Sequence, residues 1–372
     1  YCTKHIVDSQ LRDKRRCAII HVMENLSSSR MRFLTAAAAF IVVVVALMVL
    51  HGAAALFIPI VLAVVLWYIL VTIASYYQRI QIRNTHISFG IAVLLAILTV
   101  FFVFLLLIEI IRDNIAEFIA SLPVYQEKLQ SLMLKADKMP FVSGIDIKEL
   151  GSQIDLSAVA SAIVGGVKTL TSYTAATMLY TLFILLECKG FDTKIDKLFP
   201  NAGKRKKVSG IIQRINSQIQ EYIRIQTFVS ALTAALVYVV LLLFGVQYAA
   251  FWALLTFGLN FIPTIGSMIA SVLPPLFALI QFESVVLVLI LTAIICAIQF
   301  SIGNVLQPRL MGSSLNLSPL AILIGLALWG TIWGIPGMFL CIPILVIMNI
   351  IFANFSSTYW ISVLLSGNKK VS

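Results

Sequence analysis

The sequence predicts an all-α polytopic membrane protein with about eight transmembrane helices. Of its 372 residues, 60% are hydrophobic and only 12% are charged, and the mean hydropathy is +1.00. A chain this apolar cannot bury its hydrophobic surface inside one aqueous globule, so it must face lipid. Apolar runs recur between polar loops, and prolines and glycines interrupt the C-terminal runs, which predicts re-entrant or broken helices there. Amphipathic stretches between the runs predict interfacial helices.

Charge and cysteine spacing argue against two function classes. The net charge of +11 would suggest a nucleic-acid partner in a soluble protein. Here the lysines and arginines gather in short loops beside apolar runs, where they report topology, and no basic face carries interleaved aromatic residues. The five cysteines form no close pair and no ligand spacing with histidine. We therefore expect no nucleic acid, no metal ion and no cofactor.

Residues 1–32 are predicted to form a polar cytoplasmic tail. They contain seven Lys or Arg residues against three acidic ones. The chain opens with Tyr1, and Met23 is interpreted as the native start, with residues 1–22 as upstream sequence. The apolar run that follows is too long for a secretory signal peptide and is succeeded by further runs.

Three transmembrane helices are predicted within residues 33–111. The runs 33–50 and 53–74 are each long enough to cross about 30 Å of hydrocarbon, and the pair 51–52 between them predicts a helical hairpin. A polar link with two arginines leads to the third run, 87–111. Because Lys and Arg favour the cytoplasmic side, this link and the N-terminal tail are placed in the cytoplasm.

Residues 112–157 are predicted to lie outside the membrane on the extracytoplasmic side. Seven acidic residues outnumber five basic ones there. Apolar side chains recur at spacings of three and four, which indicates an amphipathic helix. We favour a packed helical subdomain over a dedicated ligand-binding domain. The residues that carry the spacing are Leu122, Tyr125, Leu129, Leu132 and Met133.

A fourth transmembrane helix is predicted within residues 158–188, and a basic amphipathic region follows at 189–226. The helix is rich in Ser, Thr and Gly, small residues that let membrane helices approach closely. The basic region holds nine basic residues against three acidic ones, and isoleucines line one helical face, which predicts an interfacial cytoplasmic helix that binds anionic lipid headgroups. The residues assigned to the lipid interface are Lys204, Arg205, Lys206, Lys207 and Arg214.

Residues 227–355 are predicted to form a C-terminal core of broken helices. After a fifth run at 227–245, the run 249–280 is too long for one simple crossing, and prolines cut it at 263–266 and again at 274–275. Breaks at membrane depth survive only where protein or a water-filled cavity surrounds them. We expect a hairpin that re-enters the membrane, or two half-helices that meet at the break.

The position of Arg309 bears on whether this run crosses the membrane. If the run re-enters without crossing, eight crossings place Arg309 and both termini in the cytoplasm, with residues 356–372 as a cytoplasmic tail. If it crosses, Arg309 lies outside. The preference of basic residues for the cytoplasm favours the re-entrant alternative.

The last apolar run, 317–352, is also interrupted by glycine and proline residues. Breaks are predicted at 329–330 and at 334–337, and a proline is predicted to kink the second piece. These positions are interpreted as points at which the chain can hinge. The hinge or gating candidates are Gly312, Gly334, Pro336, Gly337 and Pro343.

A dense polar patch lies between the two broken segments, at residues 299–316. In one interpretation it is an ordinary helix end, where amides cap backbone groups, a proline stops the helix and an arginine reaches the lipid headgroups. In the other, three of its side chains face Asn260 and Thr264 across a cavity and offer donors and acceptors to a polar solute. The three are Asn304, Gln307 and Arg309, and Asn304 shares one pocket with Asn260. The candidate substrate-binding residues are Asn260, Pro263, Thr264, Gly266, Asn304, Gln307, Pro308 and Arg309.

No acidic residue lies at either break. Glu109, Glu187 and Glu283 all fall at or near predicted ends of membrane runs. Because carriers coupled to protons or sodium often hold a carboxylate in mid-membrane, coupling at a buried acid is disfavoured. Backbone carbonyls freed at Pro263 remain an alternative sodium site. The Asn, Gln, Thr and Ser side chains suit a small, neutral, hydroxyl-rich solute.

Enzymatic motifs are absent from the sequence. It contains no H-E-x-x-H, no G-x-S-x-G, no phosphate-binding loop and no G-x-G-x-x-G. The four histidines lie in the tail or at predicted membrane edges. We therefore expect that the protein is not an enzyme.

Three ordered motifs carry a resemblance to a known family. Residues 260–267 read Asn-Phe-Ile-Pro-Thr-Ile-Gly-Ser, residues 303–312 read Gly-Asn-Val-Leu-Gln-Pro-Arg-Leu-Met-Gly, and residues 333–343 read Trp-Gly-Ile-Pro-Gly-Met-Phe-Leu-Cys-Ile-Pro. Their order and spacing resemble those of the bacterial autoinducer-2 exporter family, also called PerM-type permeases. The likeness extends from about Met31 to Leu365.

The resemblance implies a bacterial inner-membrane permease that forms a homo-oligomer, with a pentamer as the expected state, and a transport unit that moves relative to an oligomeric scaffold. Family members are linked to export of the quorum-sensing signal autoinducer-2, and others resemble sodium/proton antiporters. Some exporters carry an acid before the proline of the second motif, where this chain has Gln307. That departure argues further against ion coupling.

Three hypotheses of function follow. The first is a secondary carrier that exports a small neutral polar solute, autoinducer-2 by the resemblance. The second is exchange of a coupling cation, sodium for protons, as in the antiporter branch. The third is a non-transporting scaffold or channel that docks partners through the basic helix at 204–226. Membrane lipid and further copies of the chain are expected partners in each case.

Overall fold

Long helices dominate the computed structural model, which describes residues 34–35, 37–38, 40–82, 85–137, 156–312 and 316–367. The elements up to the first basic region are α1 (Phe40–Gly52), α2 (Ala54–Arg79), β1 (Gln81–Ile82), β2 (Thr85–His86), α3 (Phe89–Asp137), α4 (Leu156–Glu187) and α5 (Phe191–Leu198). They are followed by α6 (Ala202–Leu243), α7 (Ala249–Leu259), α8 (Ile265–Phe282), α9 (Val285–Phe300), a π-helical turn (Ser301–Leu306), α10 (Gln307–Met311), α11 (Pro319–Trp333), α12 (Ile335–Ala353) and α13 (Tyr359–Leu365). The chain divides into two units, Tyr1–Ala54 and Ala55–Ser372, and the site described below lies in the second.

Seven helices in the described part of the chain are long and apolar enough to cross a membrane. They confirm the predicted all-α, multi-pass membrane fold. The seven are Ala54–Arg79, Phe89–Ser121, Val164–Glu187, Ala202–Leu243, Ile265–Phe282, Val285–Met311 and Ile335–Ala353. The predicted first run, 33–50, lies partly outside the described residues, and its described residues from 40 onward belong to the shorter apolar helix α1.

The links around α2 differ in detail from the prediction. The helical hydrogen bonding continues through the pair 51–52, and the turn falls on Ala53, whose N–H still donates to the Val49 carbonyl at 2.8 Å. After α2, the polar link pairs as a short antiparallel hairpin, with Gln81 opposite His86. A short β-hairpin therefore accompanies an otherwise helical fold.

The third membrane run and the segment after it form one 49-residue helix, α3. The helix therefore continues past the predicted end of the membrane run at residue 111, because charged residues such as Arg112 do not interrupt helical hydrogen bonding. The start of the predicted amphipathic helix is packed on protein, with Phe118 and Tyr125 buried among aromatic rings of α7 and α8. Residues 138–155 lie outside the described residues, as do the side chains of Leu122, Leu129, Leu132 and Met133.

Hydrogen bonds of Tyr125 and its neighbour Ser121 link α3 to the residues that directly precede α7. Its hydroxyl donates to the Gln247 side-chain carbonyl, and Ser121 Oγ lies 3.0 Å from the Tyr248 hydroxyl. Burial, followed by the neighbouring Tyr248, raises the pKa of Tyr125 to about 12. The phenol therefore stays protonated, and remains a donor, at any physiological pH.

The basic region and the fifth membrane run also form one helix, the 42-residue α6. Asn201 caps it by accepting from the N–H groups of Gly203 and Lys204 at 3.0 and 3.3 Å. Two members of the isoleucine face, Ile219 and Ile223, are buried against other helices of the protein, α2 and α12. The interfacial placement of the basic region stays a prediction.

The basic side chains of α6 have mixed surroundings. Arg205 forms an ion pair with Asp196 at 3.5 Å, and Lys207 Nζ donates to the Asn354 carbonyl at 3.2 Å. Lys204, Lys206 and Arg214 are exposed. Their assignment to the lipid interface stays a prediction.

Helices α7 and α8 form a hairpin, called here the first hairpin (249–282). Its two ends meet, because the Gln281 amide donates to the Gly245 carbonyl at 2.9 Å and its Oε1 accepts from the Gln247 N–H at 2.9 Å. The rings of Trp252 and Phe277 lie 5.4 Å apart between the two arms. The chain therefore turns back at residues 260–264, which overlap the predicted first break at 263–266.

The second predicted break in this run is wrong. Pro274 and Pro275 lie inside α8, which continues through both, and both are buried. Proline inside a membrane helix is tolerated where neighbouring helices and side chains surround the freed backbone groups. Dense packing against α7 and α9 provides that environment.

Helices α11 and α12 form the second hairpin (319–353), in which glycines allow close packing. A Cβ built on Gly325 would lie 2.8 Å from the Leu345 side chain, and one on Gly330 would lie 2.9 Å from that of Met338. The predicted break at 329–330 is therefore wrong, since Gly330 accommodates a neighbour inside a continuous helix. The break falls on Gly334 alone (φ 64°).

Pro336 and Pro343 have different places in α12. Pro336 occupies the first turn, where a missing N–H costs no helical hydrogen bond. Pro343 is buried in the interior of the helix. Their hinge roles, and that of Gly312, which ends α10 with φ 55°, stay predictions.

Candidate functional site

The two hairpins turn by the same backbone device. A Cβ built on Gly266 would lie 1.7 Å from the Leu259 carbonyl oxygen, and one on Gly337 would lie 1.9 Å from the Trp329 carbonyl oxygen. Both glycines are buried. In each hairpin the start of the second arm therefore crosses the end of the first at backbone contact, a distance that only glycine permits.

A positive φ precedes the second arm of each hairpin. Gly334 has φ 64° in the second hairpin, and Thr264 has φ 61° in the first. Glycine adopts this conformation readily, whereas a β-branched residue there is strained. Thr264 is exposed, and its role in substrate binding stays a prediction.

Replacing Thr264 with glycine is expected to stabilise the protein. The substitution relieves strain of about 1–3 kcal/mol, partly offset by the greater freedom of glycine in the unfolded chain. The midpoint of thermal unfolding in detergent should rise. Thr264→Ala is the matched control, since it removes the same hydroxyl without gaining access to positive φ. An equal rise in both variants would contradict the strain argument.

The turns of the two hairpins touch each other. The ring of Phe261, in the first turn, stacks on that of Phe339, near the start of α12, with centroids 4.8 Å apart and planes 22° apart. Phe261 is buried. The sequence predicted two related breaks, and the structure brings them into contact.

Four amide side chains meet beside the first turn, and we call Gln226, Asn260, Gln299 and Gln307 the amide cluster. Gln226 Nε2 donates to the Asn260 backbone carbonyl at 2.7 Å, and Gln226 Oε1 accepts from Gln307 Nε2 at 3.0 Å. Gln299 Nε2 lies 3.4 Å from Asn260 Oδ1. Gln226 is buried, at 3% exposure, and the other three are half-buried. The cluster joins α6, the first turn, α9 and α10.

The helix break explains why the cluster forms. Asn260 is the C-cap of α7, and the last carbonyls of a helix have no partner within it. The Gln226 amide supplies a donor to one of them from the neighbouring α6. A buried amide that lacked such partners would cost free energy, so Gln226 and the break stabilise one another.

A π-helical turn precedes Gln307. In residues 301–306 the backbone hydrogen bonds join residues five apart instead of four, which changes the direction of the side chains that follow. Gln307 reaches Gln226, whereas Asn304 is exposed and makes no hydrogen bond within the described residues. The structure therefore brings Gln307, and not Asn304, to the first turn.

The remaining predicted site residues lie near the cluster but outside it. Pro308 occupies the first turn of α10, and Arg309 is exposed. Pro263 is half-buried within the turn, and Gly266 is buried at its backbone contact. The cavity predicted between these residues and Asn260 stays a prediction.

The cluster is electrically neutral. Its members are amides, which both donate and accept hydrogen bonds and do not titrate. Among the described residues, no group of three or more His, Cys, Asp or Glu side chains lies close enough to hold a metal ion. The site offers polar contacts without a fixed charge.

Gln226 and Gln299 were missed as site residues by sequence reasoning. Gln226 was assigned to the end of the basic region, and Gln299 to the start of the polar patch. The available signal was a glutamine at the edge of an apolar run, where an amide needs a partner.

Similarity to known proteins covers most of the chain. A family model described as the AI-2E family transporter matches residues 38–357. The AI-2 transport protein TqsA of Escherichia coli is 27% identical over 325 residues, which cover 86% of this chain and 91% of that protein. A candidate transport protein of Borreliella burgdorferi is 37% identical over 203 residues, 54% of this chain and 56% of that protein.

A further relative agrees with the resemblance seen in the motifs. The candidate permease PerM of Escherichia coli is 25% identical over 195 residues, 52% of this chain and 54% of that protein. The matches to PerM and to the Borreliella protein thus span little more than half of those relatives, whereas the family model spans nearly all the described helices. The chain belongs to the AI-2E transporter family.

Proposed function

We propose that this protein is a secondary transporter that exports a small neutral polar solute, with autoinducer-2 as its substrate, and that the solute binds at the amide cluster. The observation that carries the proposal is the cluster itself, a group of uncharged donors and acceptors at a broken helix. The name of the relative TqsA, an AI-2 transport protein, supports the choice of solute.

The chemistry of the cluster suits a hydroxylated ligand. Hydroxyl groups both donate and accept, and so do the half-buried amides of Asn260, Gln299 and Gln307. Gln226, buried behind them, holds the Asn260 carbonyl and Gln307 in place. A site built for a metal ion or an organic cation would contain carboxylates, which this cluster lacks.

The two hairpins are the proposed moving parts. They contact each other at Phe261 and Phe339, and each turns at a glycine crossing. We place the first hairpin as a re-entrant element, both termini in the cytoplasm and the protein in a bacterial inner membrane. A homo-oligomer, a pentamer by the resemblance, would supply the scaffold against which the hairpins move.

Replacing Gln307 with methionine tests the site. Methionine preserves much of the side-chain volume but removes the hydrogen bond to Gln226 and the polar surface offered to the solute. We expect autoinducer-2 efflux from proteoliposomes to fall about tenfold or more, the change that corresponds to a loss of about 1.4 kcal/mol. The rate is to be measured with equal amounts of reconstituted protein.

Asn304→Leu is the matched control. It also removes an amide from the polar patch at 299–316, but this amide is exposed and lies outside the amide cluster. Its efflux should stay within about twofold of the original. Unchanged efflux in Gln307→Met would refute the site. If the original protein shows no autoinducer-2 efflux but dissipates a pH gradient in a sodium-dependent manner, the cation/proton antiporter is the correct alternative.

A further inference from the structure

A polar groove lies between the end of α2 and the N-terminal half of α6. It encloses about 370 Å³, a size that accommodates a small ligand or a lipid headgroup. Each helix contributes four lining residues, at spacings of three and four that place them on one face. They are Thr72, Ser75, Tyr76 and Arg79 from α2, and Ser217, Gln220, Glu221 and Arg224 from α6.

The lining suits a phosphate ester. Arg79 and Arg224 supply two guanidinium groups, which match phosphate oxygens in fork geometry. Neither of them forms an ion pair with Glu221 within 4.0 Å among the described residues. Hydroxyl and amide groups of the other lining residues surround these charges. With Glu221, the lining has a formal charge of +1, which one phosphodiester would balance.

The groove lies where both of its walls change from apolar to polar. On α2 the apolar run gives way to polar residues from Ser75 onward, and Arg79 is in the last turn. On α6 the charged half ends at Arg224, and the apolar run begins at Thr227. Tyr76, at 49% exposure, is the kind of aromatic residue that lines membrane interfaces. A lipid headgroup lies at that level.

We propose that this groove binds the phosphodiester of an anionic membrane phospholipid whose headgroup is a polyol, as in phosphatidylglycerol. Arg79 and Arg224 hold the phosphate, and Glu221 accepts from the headgroup hydroxyls. The site is separate from the amide cluster, since Gln226 follows Arg224 by two residues and is about 200° further around α6. A failure of the lipid-binding proposal can therefore be distinguished from a failure of the proposed transport function.

Lipid titration with native mass spectrometry of the purified full chain tests the groove. Phosphatidylglycerol should bind at one tight site per chain. Arg79→Gln and Arg224→Gln should each weaken that binding about tenfold, as expected for loss of a charged hydrogen bond. Lys197→Gln, an equal loss of charge at an exposed residue of α5 that does not line the groove, should change it less than twofold. Equal losses in all three variants would mean diffuse attraction to basic residues and would overturn the proposal.

Competition by other ligands and the variant Glu221→Gln distinguish between the remaining candidate ligands of the groove. Phosphatidylcholine, inorganic phosphate and glycerol 3-phosphate should compete at least tenfold less well than phosphatidylglycerol. Tight competition by either soluble phosphate would overturn the lipid assignment. Glu221→Gln should leave phosphatidylglycerol binding intact or tighter, because it removes a negative charge beside the phosphate. The opposite outcome is that phosphatidylethanolamine outcompetes phosphatidylglycerol and that Glu221→Gln abolishes the binding of phosphatidylethanolamine. In that case the ligand is a zwitterionic headgroup and the polyol proposal is wrong.

Discussion

Gly266→Ala is expected to prevent the first hairpin from closing. The added Cβ would lie 1.7 Å from the Leu259 carbonyl oxygen and 2.6 Å from its carbon. No rotamer can relieve an overlap between a Cβ and a backbone atom, so α7 and α8 must move apart. We expect a loss of about 3 kcal/mol or more, at the upper end of the overpacking range. Thermal unfolding in detergent, followed by tryptophan fluorescence, measures it.

Gly258→Ala is the matched control for this prediction. It lies on α7 in the same hairpin, and a Cβ there meets no atom within 4 Å among the described residues. Alanine at this position should leave stability unchanged or raise it by about 0.5–1 kcal/mol, since it is the better helix former. Gly337→Ala, with its Cβ 1.9 Å from the Trp329 carbonyl, should behave like Gly266→Ala. If Gly266→Ala unfolds like Gly258→Ala, the backbone contact is wrong.

The sequence predicted the true breaks but could not separate them from false ones. The real breaks, at 260–264 and Gly334, combine a residue of positive φ with a glycine two or three positions later. The false ones, at 274–275 and 329–330, contain proline or glycine alone. Proline and glycine are found both at helix ends and inside packed membrane helices. Tertiary packing decides between these outcomes, and it is not visible in local sequence.

Helix continuity escaped sequence reasoning for a related reason. Charge clusters around Arg112 and Arg224 indicate where membrane runs end, and the sequence analysis assigns the residues on either side of each cluster to different segments. Charged residues such as Lys, Arg and Glu are good helix formers, so α3 and α6 continue through them. Hydropathy reports where a helix leaves the membrane, whereas proline, glycine and caps report where it ends.

The candidate site was predicted in part. Asn260 and Gln307 were named, and the structure links them through Gln226. The π-helical turn at 301–306 could not be predicted from hydrophobic periodicity. The added residue in this turn changes the direction in which the side chains beyond it point around the helix. The sequence predicts both Asn304 and Gln307 at the site, and of the two only Gln307 is hydrogen-bonded to the cluster.

Gln226→Leu is expected to reduce transport more than any other change in the amide cluster. Gln226 holds both the Asn260 carbonyl and the Gln307 amide, and it is buried at 3% exposure. Leucine would leave a donor and an acceptor unsatisfied, at a cost of about 1–3 kcal/mol each. The first turn and α10 would then lose the contact that fixes their relative positions. Autoinducer-2 efflux from proteoliposomes should fall at least about a hundredfold if these losses add.

A control on the same helix separates loss of the site from loss of the fold. Gln213 is exposed on α6, and Gln213→Leu makes the same chemical change away from the cluster. Both variants should reconstitute as folded protein, because α6 stays packed through Ile219 and Ile223. The double variant Gln226→Leu/Gln307→Met should be little worse than Gln226→Leu alone, since residues in one hydrogen-bonded network are not additive. Full additivity would show that Gln226 and Gln307 act separately, and the cluster would not be a single site.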